Sequence, residues 1–268
     1  MIKELFKRIF KGKDKQSEIN IDFESEFKSL EKETIFITPC DFKTNSHIGG
    51  LPFVEKGFTW PTAYIEKSIG NSEDNTTNYM ELLIDIDLAE MSKFDTGHLL
   101  PDHGHLCVFY DMEAFPLCNE DSEEGVKVFY FENPTIEIDA IPPQEGEVRQ
   151  IYKRHNITFK RGISVPCFDE YSSNLSQNIK YYDEGVRLGY FKDEESEYDT
   201  HLFGYATFMQ GNAKPKGDYI LLMQIDSYYF GNGDELNLGD AGQLYIYITK
   251  EDLKNRNFKN IKYDLQCG

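Results

Sequence analysis

Apolar residues follow strand periodicity in two stretches of the chain that match one another. Tyr219 to Ile225 is a dense apolar run of strand length, and from Gln243 to Thr249 Leu244, Ile246 and Ile248 alternate with Tyr245 and Tyr247, so both predict strands. Between them Gly239-Asp240-Ala241-Gly242 supplies two residues without a Cβ, suited to a turn with positive φ. Leu82 to Glu113 repeats the pattern. Leu82 aligns with Leu221, Asp87 with Asp226, Leu100 with Leu238, Asp102 with Asp240, Gly104 with Gly242 and Leu106 with Leu244, at an offset of 139 residues that becomes 138. The change of one residue falls in the loop between the strands, where length varies at small cost. We read the two stretches as an internal duplication of a strand, turn, strand unit. Asp102 and Asp240, two residues before the shared glycine, are expected to cap the turn through side-chain to backbone hydrogen bonds.

Other elements follow from the same patterning. Ile2, Leu5, Phe6, Ile9 and Phe10 form one stripe of a basic amphipathic helix over residues 1–15, expected to dock on the body of the protein, with membrane-surface attachment as the other reading. Phe23 to Lys32 predicts a short helix with Phe23, Phe27 and Leu30 inward, and Thr34 to Thr38 a strand. Ser46 to Pro61 is an irregular stretch in which Gly49-Gly50, Pro52 and Pro61 set the backbone. Trp60 there is expected to anchor the loop on the core rather than to wall a pocket. Ser68 to Asn78 reads as a polar loop. Val126 to Glu132 predicts a strand pairing with Leu106 to Asp111, the acidic connection Asn119 to Glu124 lying outside. Ala140 to Glu147 marks the boundary between halves. Tyr152 to Tyr198 carries little periodicity beyond a helix at Leu175 to Tyr182, and Asp193 to Asp199 is an acidic loop. A helix from Lys250 and a strand from Ile261 to Gln266 close the chain.

The fold expected is therefore α+β, with antiparallel-rich sheets built from the duplication: a helical segment over residues 1–30, then one domain over 31–268 made of halves at about 31–141 and 142–268. Forty per cent apolar content with 20 Phe and 17 Tyr suffices for a core and favours strands. Five widely spaced cysteines with no CxxC pair predict reduced thiols in a cytoplasmic protein. No stretch approaches the ~20 apolar residues of a membrane span. The net charge of −19 disfavours nucleic acid and favours a basic partner.

Candidate chemistry is sparse. His98, His103 and His105 with Asp95 and Asp102 form a histidine-rich stretch, read as surface residues rather than a metal site. No catalytic signature surrounds any cysteine, and no nucleotide or phosphate motif occurs, so no catalytic residue, metal or cofactor is assigned. Alternation places Asp85 and Asp87 on one face of a strand. His201-Leu202-Phe203-Gly204-Tyr205 echoes His47-Ile48-Gly49-Gly50-Leu51, each upstream of its strand pair.

The ordered set S-x-x-G-G-L-P-F, G-F-x-W-P, L-L-x-Q-I-D, G-D-A-G-x-L-Y and K-E-D-L…F…L-Q-C, here Ser46 to Pro61, Leu221 to Asp226, Gly239 to Tyr245 and Lys250 to Cys267, resembles the YwqG-like family of bacterial proteins. The resemblance implies a duplicated α+β fold and, from the frequent neighbourhood of secreted toxins, an immunity role. Asp85 stands where the family commonly has a glutamine matching Gln224. The function expected is a non-catalytic cytoplasmic binding protein, such as an immunity protein neutralising a basic toxin domain. The alternative is an enzyme or small-ligand binder with a site at the junction of the halves, using His47, Trp60, His201, Gln224 and Asp226.

Overall fold

The computed structural model describes residues 21–65, 76–113, 115–119, 124–135, 151–191 and 200–268. The basic amphipathic helix expected over residues 1–15, the boundary at 140–147, the loop at 193–199 and residues 68–75 and 120–123 lie outside these. In chain order the strands are β1 (Lys32–Pro39), β2 (His47–Ile48), β3 (Thr62–Ile65), β4 (Thr76–Tyr79), β5 (Glu81–Asp87), β6 (His105–Tyr110), β7 (Val126–Phe131), β8 (His155–Ser164), β9 (His201–Leu202), β10 (Tyr219–Asp226), β11 (Tyr228–Gly231), β12 (Asp234–Leu236), β13 (Gln243–Thr249) and β14 (Ile261–Gln266). The described helices are short: α1 (Phe23–Leu30), α2 (Leu88–Met91), α3 (Phe168–Tyr171), α4 (Leu175–Leu188) and α5 (Lys250–Lys254). The protein is thus mixed α/β and mostly antiparallel sheet.

Ten strands form one antiparallel sheet in the order β14-β13-β10-β9-β1-β8-β2-β5-β6-β7. Outward from the central β1·β8 pair, each side runs through a two-residue strand to a three-stranded meander. The registers match: His47 lies opposite Asp85 and Ile48 opposite Ile84, while His201 lies opposite Gln224 and Leu202 opposite Met223. Each first meander strand carries a bulge, between Leu82 and Ile84 in β5 and between Leu221 and Met223 in β10. A bulge adds twist, and the sheet curls until its ends meet. The N–H of Leu265 donates to the Leu117 carbonyl at 2.6 Å, Cys118 bridges to Asp264, and Tyr130 packs on Phe258 with ring centroids 6.2 Å apart. The main core lies inside this roll, with Ile35, Ile84, Val108, Ile157, Met223 and Ile246 among its members. Val54, Trp60 and Phe109 pack outside the first meander; Ala206, Leu221, Tyr245 and Tyr247 pack outside the second.

Several expectations are revised. The longest strand, β8, falls in the stretch that showed little periodicity; only Ile157 and Phe159 in it are buried, and Lys160 and Arg161 break the apolar alternation. Thr76 to Asn78, read as loop, belongs to β4. Helix α4 runs on to Leu188 and ends on Gly189 at φ 81°. The connections inside the matched stretches differ: β5 leads into α2, whose first turn Asp87 caps by accepting from the N–H of Ala89 at 2.8 Å, whereas β10 leads into the β11·β12 hairpin. Gly239 has φ 80° and Gly104 φ 84°, but Gly242 is outside the left-handed region, which Ala241 occupies instead at φ 53°. Gly242 is needed for space, since a Cβ there would lie 2.1 Å from the Leu238 carbonyl oxygen. The Asp102 carboxylate accepts from the neighbouring His103 ring at 2.7 Å instead of capping its turn. At Asp240 it is the backbone carbonyl that accepts, from the N–H of Gly268 at 3.0 Å.

Candidate functional site

His47 and Asp85 meet across β2 and β5 with both side chains fully buried. The His47 Nδ1–H donates to the Gly49 carbonyl at 2.6 Å, leaving Nε2 without a hydrogen-bond partner 3.7 Å from an Asp85 oxygen. Burial pushes His47 down to about 4 against the pull of the Asp85 charge, so the ring is neutral. The other Asp85 oxygen receives Nδ1–H of His105 at 2.6 Å, and the Phe53 N–H donates to Asp85 at 2.7 Å. Burial works to lower His105, but the Asp85 hydrogen bond and charge, joined by Asp87 and Glu90, outweigh it and raise its pKa. Asp87 accepts from Asn45 at 2.8 Å, and Glu90 from the Ser46 hydroxyl at 2.7 Å. This network ties β2, β5, β6, α2 and the irregular loop together.

The second meander repeats the arrangement with neutral groups. Gln224 Oε1 accepts from the Thr207 N–H at 2.9 Å, six residues after His201 as Phe53 is six after His47. Gln224 Nε2 donates to the Thr207 hydroxyl at 2.6 Å, and His201 bonds the Tyr205 carbonyl at 3.0 Å. Asp226 accepts from the Ser227 N–H at 2.9 Å. Trp60 sits apart, donating to the Met80 carbonyl at 2.6 Å. The five residues assigned to one junction site are therefore distributed over three places: His47 with Asp85, His201 with Gln224 and Asp226, and Trp60 in the outer packing. Gly49 and Gly50 turn after His47 at φ 61° and 74°, ahead of Pro52. The three clustered histidines part company: His105 points inward to Asp85, His103 pairs with Asp102, and His98 lines a cleft elsewhere. Among the described residues no group of His, Cys, Asp or Glu converges as a metal site, and no helix is long and apolar enough to cross a membrane.

That cleft, of about 850 Å³, opens where β10 begins and β13 ends. Residues from both halves line it: Lys32, Glu33 and His98 to Pro101 from the first, Phe203 to Ala206, Tyr219 to Leu221 and Tyr247 from the second. None of His47, Trp60, His201, Gln224 or Asp226 does. Its charged lining is Lys32, Lys214, Lys250, Lys254 and Arg256 against Glu33, Glu170 and Asp218. Lys214 pairs with Glu170 at 3.0 Å and Arg256 with Glu132 at 3.3 Å. Lys32 places its ammonium 3.6 Å from the centre of the Tyr205 ring. Burial lowers the Lys32 pKa, and the nearby charges of Lys214 and Lys250 lower it further against the opposing pull of Glu170. The lysines are scattered from residue 32 to residue 254 without a motif, which is why the sequence does not reveal them.

Fold and cleft define a class: a curled, antiparallel-rich α/β protein with a cationic concavity at one end of its sheet. The chain belongs to the family described as a domain of unknown function (DUF1963), whose model matches residues 46–267 and to which YwqG-like proteins belong. No curated protein matches the chain.

Proposed function

We propose that this chain is a non-catalytic binding protein that takes a small anion in the cleft at the end of β10 and β13. The observation that carries the reading is local charge: five cationic side chains face three carboxylates there, in a chain with a net charge of −19. A concave site with convergent polar groups is the usual form of a small-ligand pocket, and its walls focus the field of the charges that line it. Contributions from both halves fit the junction site expected as the alternative reading, moved to different residues. We further place the chain with the bacterial YwqG-like proteins on its ordered motifs, and infer that its halves descend from a duplicated unit, supported by the matched registers and bulges around Asp85 and Gln224.

The test is thermal melting with a panel of small phosphates and carboxylates. A binder of the folded state raises the midpoint in proportion to the logarithm of its concentration. At least one anion should do so, and the Lys32→Gln, Lys250→Gln double variant should lose the shift. A panel without a shift on the wild-type chain defeats the proposal. The overall acidity supports a second reading, the neutralisation of a basic protein such as a toxin domain, in a cytoplasmic setting. Salt-sensitive association with a basic partner that survives the double variant would favour it over the cleft.

A further inference from the structure

At the cleft the two sides of the sheet can be matched position by position. β9 pairs His201 with Phe36 of β1, and β2 pairs His47 with Asn156 of β8. Lys32 stands four residues before Phe36, and Tyr152 four before Asn156. Tyr247 and Phe109 lie opposite Leu221 and Leu82, the last pairs before the β10 and β5 bulges. Lys250 follows Tyr247 by three residues, as Met112 follows Phe109. The first side therefore closes this end with Tyr152 and Met112, both partly buried against the main core, where the second side carries two exposed lysines. Apolar side chains satisfy the architecture at these two positions, so the charge there is an addition to it.

The other charges of the cleft leave these lysines uncompensated. Lys214 pairs with Glu170 and Arg256 with Glu132, while Glu33 accepts from the Thr96 hydroxyl. Lys32, Lys250 and Lys254 line the cleft with no ion pair among the described residues, leaving the carboxylate of Asp218 against three ammonium groups. Lys254 lies one turn of α5 beyond Lys250, about 6 Å along the helix axis. Like charges at that spacing destabilise a helix, and an anion bound between or beside them removes the cost. The cleft, at about 850 Å³, is also far roomier than one inorganic anion requires.

We propose that the ligand of this cleft is a small molecule with two anionic groups about one helical turn apart, one held between Lys32 and Lys250 and the other at Lys254. This rests on the anion-binding reading of the cleft and specifies the ligand's valence and the residues that select it. Joining two anionic groups makes the second contact intramolecular, so even an exposed anchor is worth about fivefold in affinity.

Calorimetric titration with inorganic phosphate and inorganic triphosphate tests it. Triphosphate should bind the wild-type chain at least about fivefold more tightly than phosphate, and Lys254→Gln should remove most of that advantage while changing phosphate affinity by less than about twofold. The Lys32→Tyr, Lys250→Met double variant, which copies the other side of the sheet, should melt no lower than wild type without ligand and bind neither phosphate. Equal affinity for the two phosphates, or a Lys254→Gln variant that keeps the triphosphate advantage, overturns the inference and leaves anion binding standing. A double variant that melts well below wild type, or that still binds triphosphate, overturns the assignment of Lys32 and Lys250. If neither phosphate binds the wild-type chain, the anion-binding reading falls and this inference with it.

Discussion

Asp85 and Gln224 show how one position accepts two chemistries. Both receive a backbone N–H from the loop that follows a histidine, at 2.7 Å from Phe53 and 2.9 Å from Thr207. The amide also donates to the Thr207 hydroxyl, whereas the carboxylate can only accept and recruits His105. The consequence is a pH window set by two rings of opposite sign. His47 falls to about 4 from an ordinary 6.5, so its contribution is present above pH 6.5 and is lost as pH falls toward 4. His105 is raised, so its contribution is full below 6.5 and fades as pH rises through its folded value. Chemical denaturation between pH 6.5 and 4 should show wild type losing roughly 3 kcal/mol more than His47→Gln over that interval. Parallel profiles would show that His47 is not held neutral. The mismatch of Asp85 with Gln224 was legible in the two matched stretches; the histidine partner of Asp85 was not, because His105 is brought to it only by the pairing of β5 with β6.

Strands with dense or alternating apolar residues were legible, and β13 and β14 have the boundaries the sequence predicts. Helix α5 had a local signal as well, Thr249 followed three residues later by Asp252. The Thr249 hydroxyl oxygen accepts from the Asp252 N–H at 3.1 Å, and the hydroxyl donates to the Asp252 carboxylate at 2.7 Å. Thr249→Ala should cost about 1 kcal/mol in urea unfolding; a loss below a few tenths would mean that packing of Leu253 alone holds the helix. Strand β8 escaped because partners on both sides satisfy its backbone while few of its side chains face the core. A helix after β5 and a hairpin after β10 likewise depend on what lies over each connection. Ser46 and Asn45 supply bonds to Glu90 and Asp87 in the first case, and in the second the Ser227 hydroxyl oxygen accepts the Leu238 N–H at 3.0 Å.

Closure of the sheet belongs to the whole molecule. Gly125 sits at the seam, where a Cβ would lie 2.3 Å from the Tyr263 hydroxyl and 2.4 Å from Pro116. Gly125→Val should therefore destabilise the chain by about 1–3 kcal/mol through overpacking, read as a lower denaturation midpoint. An unchanged midpoint would show the seam to be loose. The sequence by itself determined the antiparallel-rich α/β character, the matched strand pairs and the acidic balance, because alternation and composition are local properties that survive without partners. Tertiary structure decided the order of the strands, the curl that joins β7 to β14, the burial of the His47, Asp85 and His105 network, and the gathering of Lys32, Lys214 and Lys250 around one cleft. These depend on contacts between residues far apart in the chain, and long-range proximity leaves no periodic trace in the order of amino acids.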